Sequence, residues 1–172
     1  RDLSRVKLMW INYPHMPTGA KASAALFKEL VTFAQSHNIL ICHDNPYSFI
    51  LNDHPQSLLE VDGAKDIALE LNSLSKSHNM AGWRIGMLCG KKEWVQEVLR
   101  FKSNMDSGMF LPLQLAAATA LQLGDDWYRQ LNTMYRQRRG KVFELLRHID
   151  CRFDEQQAGL FVWAQIPEQY KD

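Results

Sequence analysis

Ser73-Leu74-Ser75-Lys76-Ser77-His78-Asn79-Met80-Ala81-Gly82-Trp83-Arg84-Ile85-Gly86 sets one lysine among hydroxyls and glycines, with an arginine further on. The apolar runs at 67–71 before it and 85–89 after it have the length and composition of buried strands. Lys76 is therefore expected on a loop at a strand end. In open α/β sheets ligands bind at that edge, because short loops there bring side chains to a shared crevice. A lysine held in a crevice can lose its proton and act as a nucleophile toward an aldehyde. The guanidinium of Arg84 presents a fork of hydrogen-bond donors and the small neighbours allow close approach, although Lys76 and Arg84 could also be a surface pair on a polar loop.

Upstream, residues 6–12 read as a strand, and two prolines and a glycine in Tyr13-Pro14-His15-Met16-Pro17-Thr18-Gly19 forbid its continuation. Residues 20–37 place Ala22, Leu26, Phe27, Leu30, Phe33 and Ala34 at the helical period. Ile39-Leu40-Ile41-Cys42 is a short, fully apolar run. Strand, helix and strand of these lengths predict a βαβ unit, and the continuously apolar second strand predicts a parallel sheet covered on both faces. His43-Asp44-Asn45-Pro46-Tyr47 follows that strand. His43 and Asp44 could begin a metal site, but no third ligand stands at a useful spacing, and Asp44 and Tyr47 could equally be turn residues. Residues 51–65, polar and interrupted by Pro55 and Gly63, are expected to be a surface connection without chemistry.

Downstream, 91–101 carries Trp94, Val95, Val98 and Leu99 on one helical face, and 103–108 breaks the period. Pro112 opens an alanine-rich helix to about Leu123, which Gly124 is expected to cap at its C-terminus. From Asp125 a longer amphipathic pattern runs through Trp127, Leu131, Tyr135, Val142, Phe143, Leu146 and Ile149. Residues 151–153 and 159–166 are expected strands, with a turn at 155–158.

The segment around Lys76 resembles the Schiff-base segment of class I/II aminotransferases, fold type I enzymes that use pyridoxal 5′-phosphate. The motif is roughly S-x-S-K-x-x-x-x-x-G-x-R-x-G, and Ser73, Ser75, Lys76, Gly82, Arg84 and Gly86 fall in register. Two further segments match in the family's order. The 12–19 loop is similar to N-x-P-x-N-P-T-G, with Met16 where the family has a second asparagine, and Asp44 with Tyr47 matches D-x-x-Y. The resemblance implies that Lys76 is the catalytic, Schiff-base-forming lysine. It also implies that Arg84 and Ser73 hold the cofactor phosphate, that Asp44 pairs with the pyridine nitrogen and that Tyr47 meets the phenolic oxygen, with Asn12 and Ser75 among the cofactor contacts. The asparagine that Met16 replaces would donate to that oxygen, and a thioether cannot.

The implied architecture is α/β: residues 1–124 form the latter part of a large domain with a mostly parallel sheet, 125–150 a long interdomain helix, and 151–172 the start of a small α+β domain. The implied activity is transfer of an amino group between an amino acid and a 2-keto acid by a homodimer. A lyase or decarboxylase of the same fold, or a cofactor-binding regulatory domain without turnover, would keep the same residues.

Composition sets the remaining bounds. The 172 residues are 46% hydrophobic and 23% charged, enough for one good core or a core and part of another. Twenty basic and 19 acidic residues are mixed along the chain, so no nucleic-acid footprint is expected. Cys42, Cys89 and Cys151 are far apart and lack C-x-x-C spacing. With two of them in apolar runs, they are expected as reduced core residues, consistent with a cytoplasmic protein. No stretch reaches membrane-spanning length, and a start at Arg1 rather than a methionine allows for an excised piece of a longer protein. Ser73-Leu74-Ser75-Lys76 also satisfies S-x-x-K, in which a serine opens a helix and a lysine lies one turn on, but S-D-N and K-T-G are missing and no helix-length pattern begins at Ser73. Residues 86–92 miss the P-loop spacing, with Lys92 where a serine or threonine is needed.

Overall fold

The parallel sheet begins with β1 (Leu8–Asn12), whose neighbour β2 (Leu40–Asp44) is reached through helix α1 (Ala24–His37). Such a crossover is what parallel pairing requires. Ser23 caps α1 by accepting from the Leu26 amide, and Asn38 ends it in the left-handed region at φ 54°, its amide donating to the Ala34 and Gln35 carbonyls. The buried face of α1 is Phe27, Val31 and Ala34, spaced four and three residues apart. Ile41, Cys42 and His43 are all buried, so β2 is covered on both faces as its apolar run predicts. A computed structural model describes residues 2–170.

Strand β3 (Ala68–Ser73) pairs parallel with β2, and β4 (Gly86–Gly90) pairs antiparallel with β3, giving the order β1-β2-β3-β4. The sheet is therefore mixed: the connection from β3 to β4 holds one helical turn and one 3-10 turn, and the chain turns back along β3. Lys76 lies not on a loop but in the single helical turn α3 (Leu74–Ser77), which follows β3 directly. Ser73 thus does open a helical turn, contrary to the expectation from periodicity, because one turn is too short to show a helical pattern. Short helix α2 (Ala64–Ile67) precedes β3 and takes Ile67 out of the expected strand.

The 51–65 connection is also more than a surface link. Leu51, Leu58 and Ala64 are buried, and Leu58 lies in a 3-10 turn, Leu58–Glu60. Helix α4 (Lys92–Lys102) forms where the period predicts it but buries none of its residues. Helix α5 (Leu111–Ala120) has Pro112 in its first turn and ends at Leu121, whose amide donates to the Ala117 and Thr119 carbonyls. Gly124 does not cap α5. It is the N-cap of α6 (Asp125–His148), at φ −83°, so it supplies no left-handed turn. Of the cysteines only Cys42 is buried, while Cys89 is exposed on β4, the far side of the sheet from β1.

Contacts divide the chain into two compact units. Arg1–Asn12, Ala22–Pro46 and Gln56–Gln122 form one, containing the four-stranded sheet, and Tyr13–Lys21, Tyr47–Pro55 and Leu123–Asp172 form the other. In the second unit α6 packs Leu131, Met134 and Tyr135 against Ile50, Leu51 and Leu160. Asn132 ties the same helix to the 47–55 segment, accepting from the Leu51 amide at 2.6 Å and donating to the Phe49 carbonyl at 2.9 Å. Two short strands, β5 (Arg152–Phe153) and β6 (Ala164–Gln165), pair antiparallel. Residues 159–163 of the expected longer strand are not part of that pair. No helix is long and apolar enough among the described residues to cross a membrane.

Two motif glycines of the first unit make a direct test of packing. A Cβ on Gly86 would sit 2.6 Å from the Asn72 carbonyl oxygen, across the pair in which Ser73 faces Gly86, whereas a Cβ on Gly82 would meet nothing within 4 Å. Gly86→Ala is expected to cost about 1–3 kcal/mol through forced separation of β3 and β4. Gly82→Ala should stay within about 0.5 kcal/mol. Denaturant unfolding of the two variants in the full-length polypeptide checks the contrast, and equal costs would contradict it.

Candidate active site

Three parallel strands end on one edge of the sheet, so the C-terminal residues Asn12, Asp44 and Ser73 arrive there together. Asn12 stands opposite Asp44 in the register and donates from Nδ2 to the Asp44 carbonyl at 2.7 Å. Lys76 and Ser75 follow Ser73 in α3. Because β4 runs antiparallel, it starts at the same edge, and Arg84 stands just before it. Asn12, Asp44, Ser73, Ser75, Lys76 and Arg84 thus share one unit and one edge. Tyr47 belongs to the other unit. It is buried there, with the Phe161 ring edge-on at a centroid distance of 6.0 Å.

Local hydrogen bonds hold the lysine turn. Ser73 Oγ accepts from the Ser75 amide at 3.1 Å, and Ser77 Oγ donates to the Ser73 carbonyl at 3.2 Å. Leu74 anchors the turn from below, in a buried cluster with Met80, Ile85 and Ala117. That leaves Lys76 half-buried above it. Arg84 caps the 3-10 turn Ala81–Trp83 in the left-handed region, at φ 52°, which is uncommon for a residue with a long side chain and recurs at functional sites. Its Nη1 donates to the Ala81 carbonyl at 2.8 Å, and the side chain is exposed.

Burial pushes the Asp44 carboxyl above the ordinary carboxylate range, with the adjacent His43 pulling the other way. Among the described residues no hydrogen bond reaches the Asp44 carboxylate, and no carboxylate pairs with Lys76 or Arg84. Asp44, Lys76 and Arg84 thus stand on one edge without an ion pair among the described residues.

In the second unit the Pro-Thr-Gly loop is held by its own contacts. Thr18 Oγ1 lies 2.7 Å from His15 Nδ1, and the Gly19 amide donates to the His15 carbonyl at 2.7 Å. Gly19 has φ 69°, and a Cβ there would lie 2.6 Å from Gln157 Cβ, so both conformation and space require glycine. Met16 is exposed.

Periodicity missed Glu70. It lies mid-strand in an apolar run, is buried, and binds His43, Asn45, Ser57 and the Leu58 amide. The available signal was an acidic residue within a strand otherwise read as fully apolar.

The sequence matches the family model described as Aminotransferase class I and II over residues 1–171, and the chain belongs to that family. Its members are pyridoxal-phosphate-dependent enzymes of fold type I. Among relatives, the chain is 46% identical over 170 residues to an LL-diaminopimelate aminotransferase of Dehalococcoides mccartyi strain BAV1, covering 98% of this chain and 44% of that protein. It is 42% identical over 168 residues to the enzyme of the same description from Gloeobacter violaceus, covering 96% and 43%. A substrate-bound BacF structure from Bacillus subtilis superposes with a TM-score of 0.92 at 36% identity, over 98% of this chain and 44% of that one. The chain thus spans less than half the length of the relatives it matches.

Proposed function

We propose that the full-length polypeptide carrying this chain is a pyridoxal-phosphate-dependent aminotransferase. The observation that carries this reading is the gathering of Lys76, Arg84, Ser73 and Asp44 on one sheet edge in the family's motif order. The charges fit the cofactor: two cations without acid partners suit an aldehyde-bearing phosphate, and a half-buried carboxylate suits a ring nitrogen that carries a proton.

Bound pyridoxal phosphate supplies an aldehyde that takes up amines and a ring that stabilises negative charge on the adjoining carbon. Arg84 and the Ser73 hydroxyl bind the phosphate, with Ser75 and Asn12 completing the cofactor contacts. Asp44 holds the proton on the ring nitrogen, and Tyr47 donates to the phenolic oxygen. Lys76 Nζ would be the group that holds the cofactor at its aldehyde carbon, and the free amine would take the substrate α-proton as general base and return a proton as general acid.

The division into a large domain through 124, a long helix over 125–150 and a small domain from 151 belongs to the same reading, as do the homodimer and a cytoplasmic location. The substrate class is an amino acid with a 2-keto acid as acceptor, and the relatives' names make LL-diaminopimelate the donor to test first. Incubating the full-length protein with that amino acid and a 2-keto acid should yield stoichiometric exchange of amine and keto group. Release of carbon dioxide or ammonia instead would identify a decarboxylase or lyase, and cofactor binding without product a regulatory domain.

Met16 gives a further expected result. With a thioether in place of an amide donor, Tyr47 carries the interaction with the phenolic oxygen without that asparagine's help. Met16→Asn should lower the pH midpoint of the cofactor's visible band by about one to two units, since a hydrogen bond to a charged group contributes roughly 1.5–3 kcal/mol in favour of the ionised oxygen. An unchanged or higher midpoint in a spectrophotometric titration refutes this account.

A further inference from the structure

Asp44 is held from behind. Successive strand residues project to opposite faces, so His43 and Asn45 share the face away from the Asp44 side chain. Both reach the carboxylate of Glu70 on β3: His43 Nδ1 lies 3.1 Å from Oε2, and Asn45 Nδ2 lies 3.2 Å from Oε1. His43 and Glu70 face each other in the register and are 0% and 8% exposed, so this is a desolvated contact. An ionised carboxylate only accepts, so His43 Nδ1 is the donor in this contact. The Phe27 ring packs edge-on against the imidazole at 5.2 Å. The backbone is locked as well, since the Asp44 carbonyl accepts from Asn12 and the Asn45 amide donates to the Leu71 carbonyl at 2.8 Å.

We propose that Glu70 is a positioning residue for Asp44: one buried carboxylate grips both chain neighbours of Asp44 and sets the direction in which the Asp44 side chain leaves the sheet edge. The inference rests on the reading of Asp44 as the partner of the cofactor ring nitrogen. A functional carboxylate must be held within about 0.5 Å and 10–20° of its working geometry, and groups behind it supply that precision. Glu70 has a second pair of donors, Ser57 Oγ and the Leu58 amide, each at 2.9 Å, which tie down the connection before α2. The two arms use different side chains, Asn45 and Ser57, and can be weakened separately.

The test uses the full-length holoenzyme and three readouts: the pH midpoint of the cofactor band, the cofactor dissociation constant and the thermal midpoint. Asp44→Asn should move the band midpoint. Asn45→Leu cuts the arm toward Asp44, together with the weaker 3.4 Å bond from Asn45 Nδ2 to the Gln56 carbonyl, and is expected to move the midpoint in the same direction and weaken cofactor binding at least about fivefold. Ser57→Ala leaves the arm toward Asp44 intact and removes the hydroxyl of the other, with its cap on the Leu59 amide, and is expected to lower the thermal midpoint while leaving both cofactor readouts in place. Glu70→Ala should combine the two effects. Glu70→Gln should recover most of the cofactor readouts, because Asn45 Oδ1, buried without a hydrogen-bond partner among the described residues, can turn to accept from the new amide. If Glu70→Ala does not fold, the contrast between Asn45→Leu and Ser57→Ala still decides. A wild-type midpoint and affinity in Asn45→Leu overturn the inference alone if Asp44→Asn shows its shift. So do shifts in Ser57→Ala as large as those in Asn45→Leu. A wild-type midpoint in Asp44→Asn overturns the reading of Asp44 and the inference with it.

Discussion

Replacing Lys76 by alanine or arginine should reduce transamination by the full-length enzyme at least about 10³-fold, the scale of losing a general acid–base group together with the attachment point of the cofactor. Arginine keeps the positive charge but cannot shuttle the proton near neutral pH, so equal losses in the two variants would assign the effect to proton transfer and attachment rather than to charge. Stability should change by less than about 1 kcal/mol, since Lys76 is only half-buried and the turn is anchored by Leu74 beneath it. Borohydride reduction followed by peptide mapping reads the site directly. A pyridoxyl label on another lysine, or on none, would remove Lys76 from its role. Free amines added to Lys76→Ala should restore part of the rate if Nζ is the base.

The 172-residue chain produced alone is expected to be inert, although it carries Lys76, Asp44, Tyr47 and Arg84. Its relatives are more than twice as long, and catalysis depends on groups held in fixed mutual geometry, where small displacements are expensive. The surface points the same way. Edge strand β1 exposes Leu8 and Trp10, α4 buries none of its residues, and α5 buries only Ala117 while Leu111 and Leu115 face outward. An open edge and apolar patches of this kind drive association. The isolated chain should elute as oligomers held by apolar surface, retain cofactor weakly and transaminate no faster than free pyridoxal phosphate. Light scattering and a coupled assay check these outcomes, and turnover clearly above free cofactor would show that the groups essential to the site all lie within these residues.

Strand and helix positions in the sheet-bearing unit were legible because their causes are local. The apolar run at 39–42 and the period over 20–37 report burial of one strand and one helix face, and β2 and α1 lie there. The motif around Lys76 was legible for a chemical reason, since glycine, hydroxyl and guanidinium at fixed spacing describe what an anionic ligand needs. Gly124 misled, because glycine suits either end of a helix and only the conformation distinguishes them: φ −83° before α6 rather than a left-handed turn after α5. The short α3 was invisible because one turn carries no period.

By itself, then, the sequence determined the order of the strands and longer helices of the sheet-bearing unit, which follows from local periodicity, and the family, which follows from the resemblance of its motifs. Only the tertiary structure decided that β4 runs antiparallel and so returns Arg84 to the edge where Asn12, Asp44 and Ser73 end, since pairing direction is set by which backbones meet. The same holds for Glu70. Whether an acidic residue in an apolar strand is tolerated depends on donors brought from far along the chain, and His43, Asn45 and Ser57 reach its carboxylate only once β2 and β3 have paired.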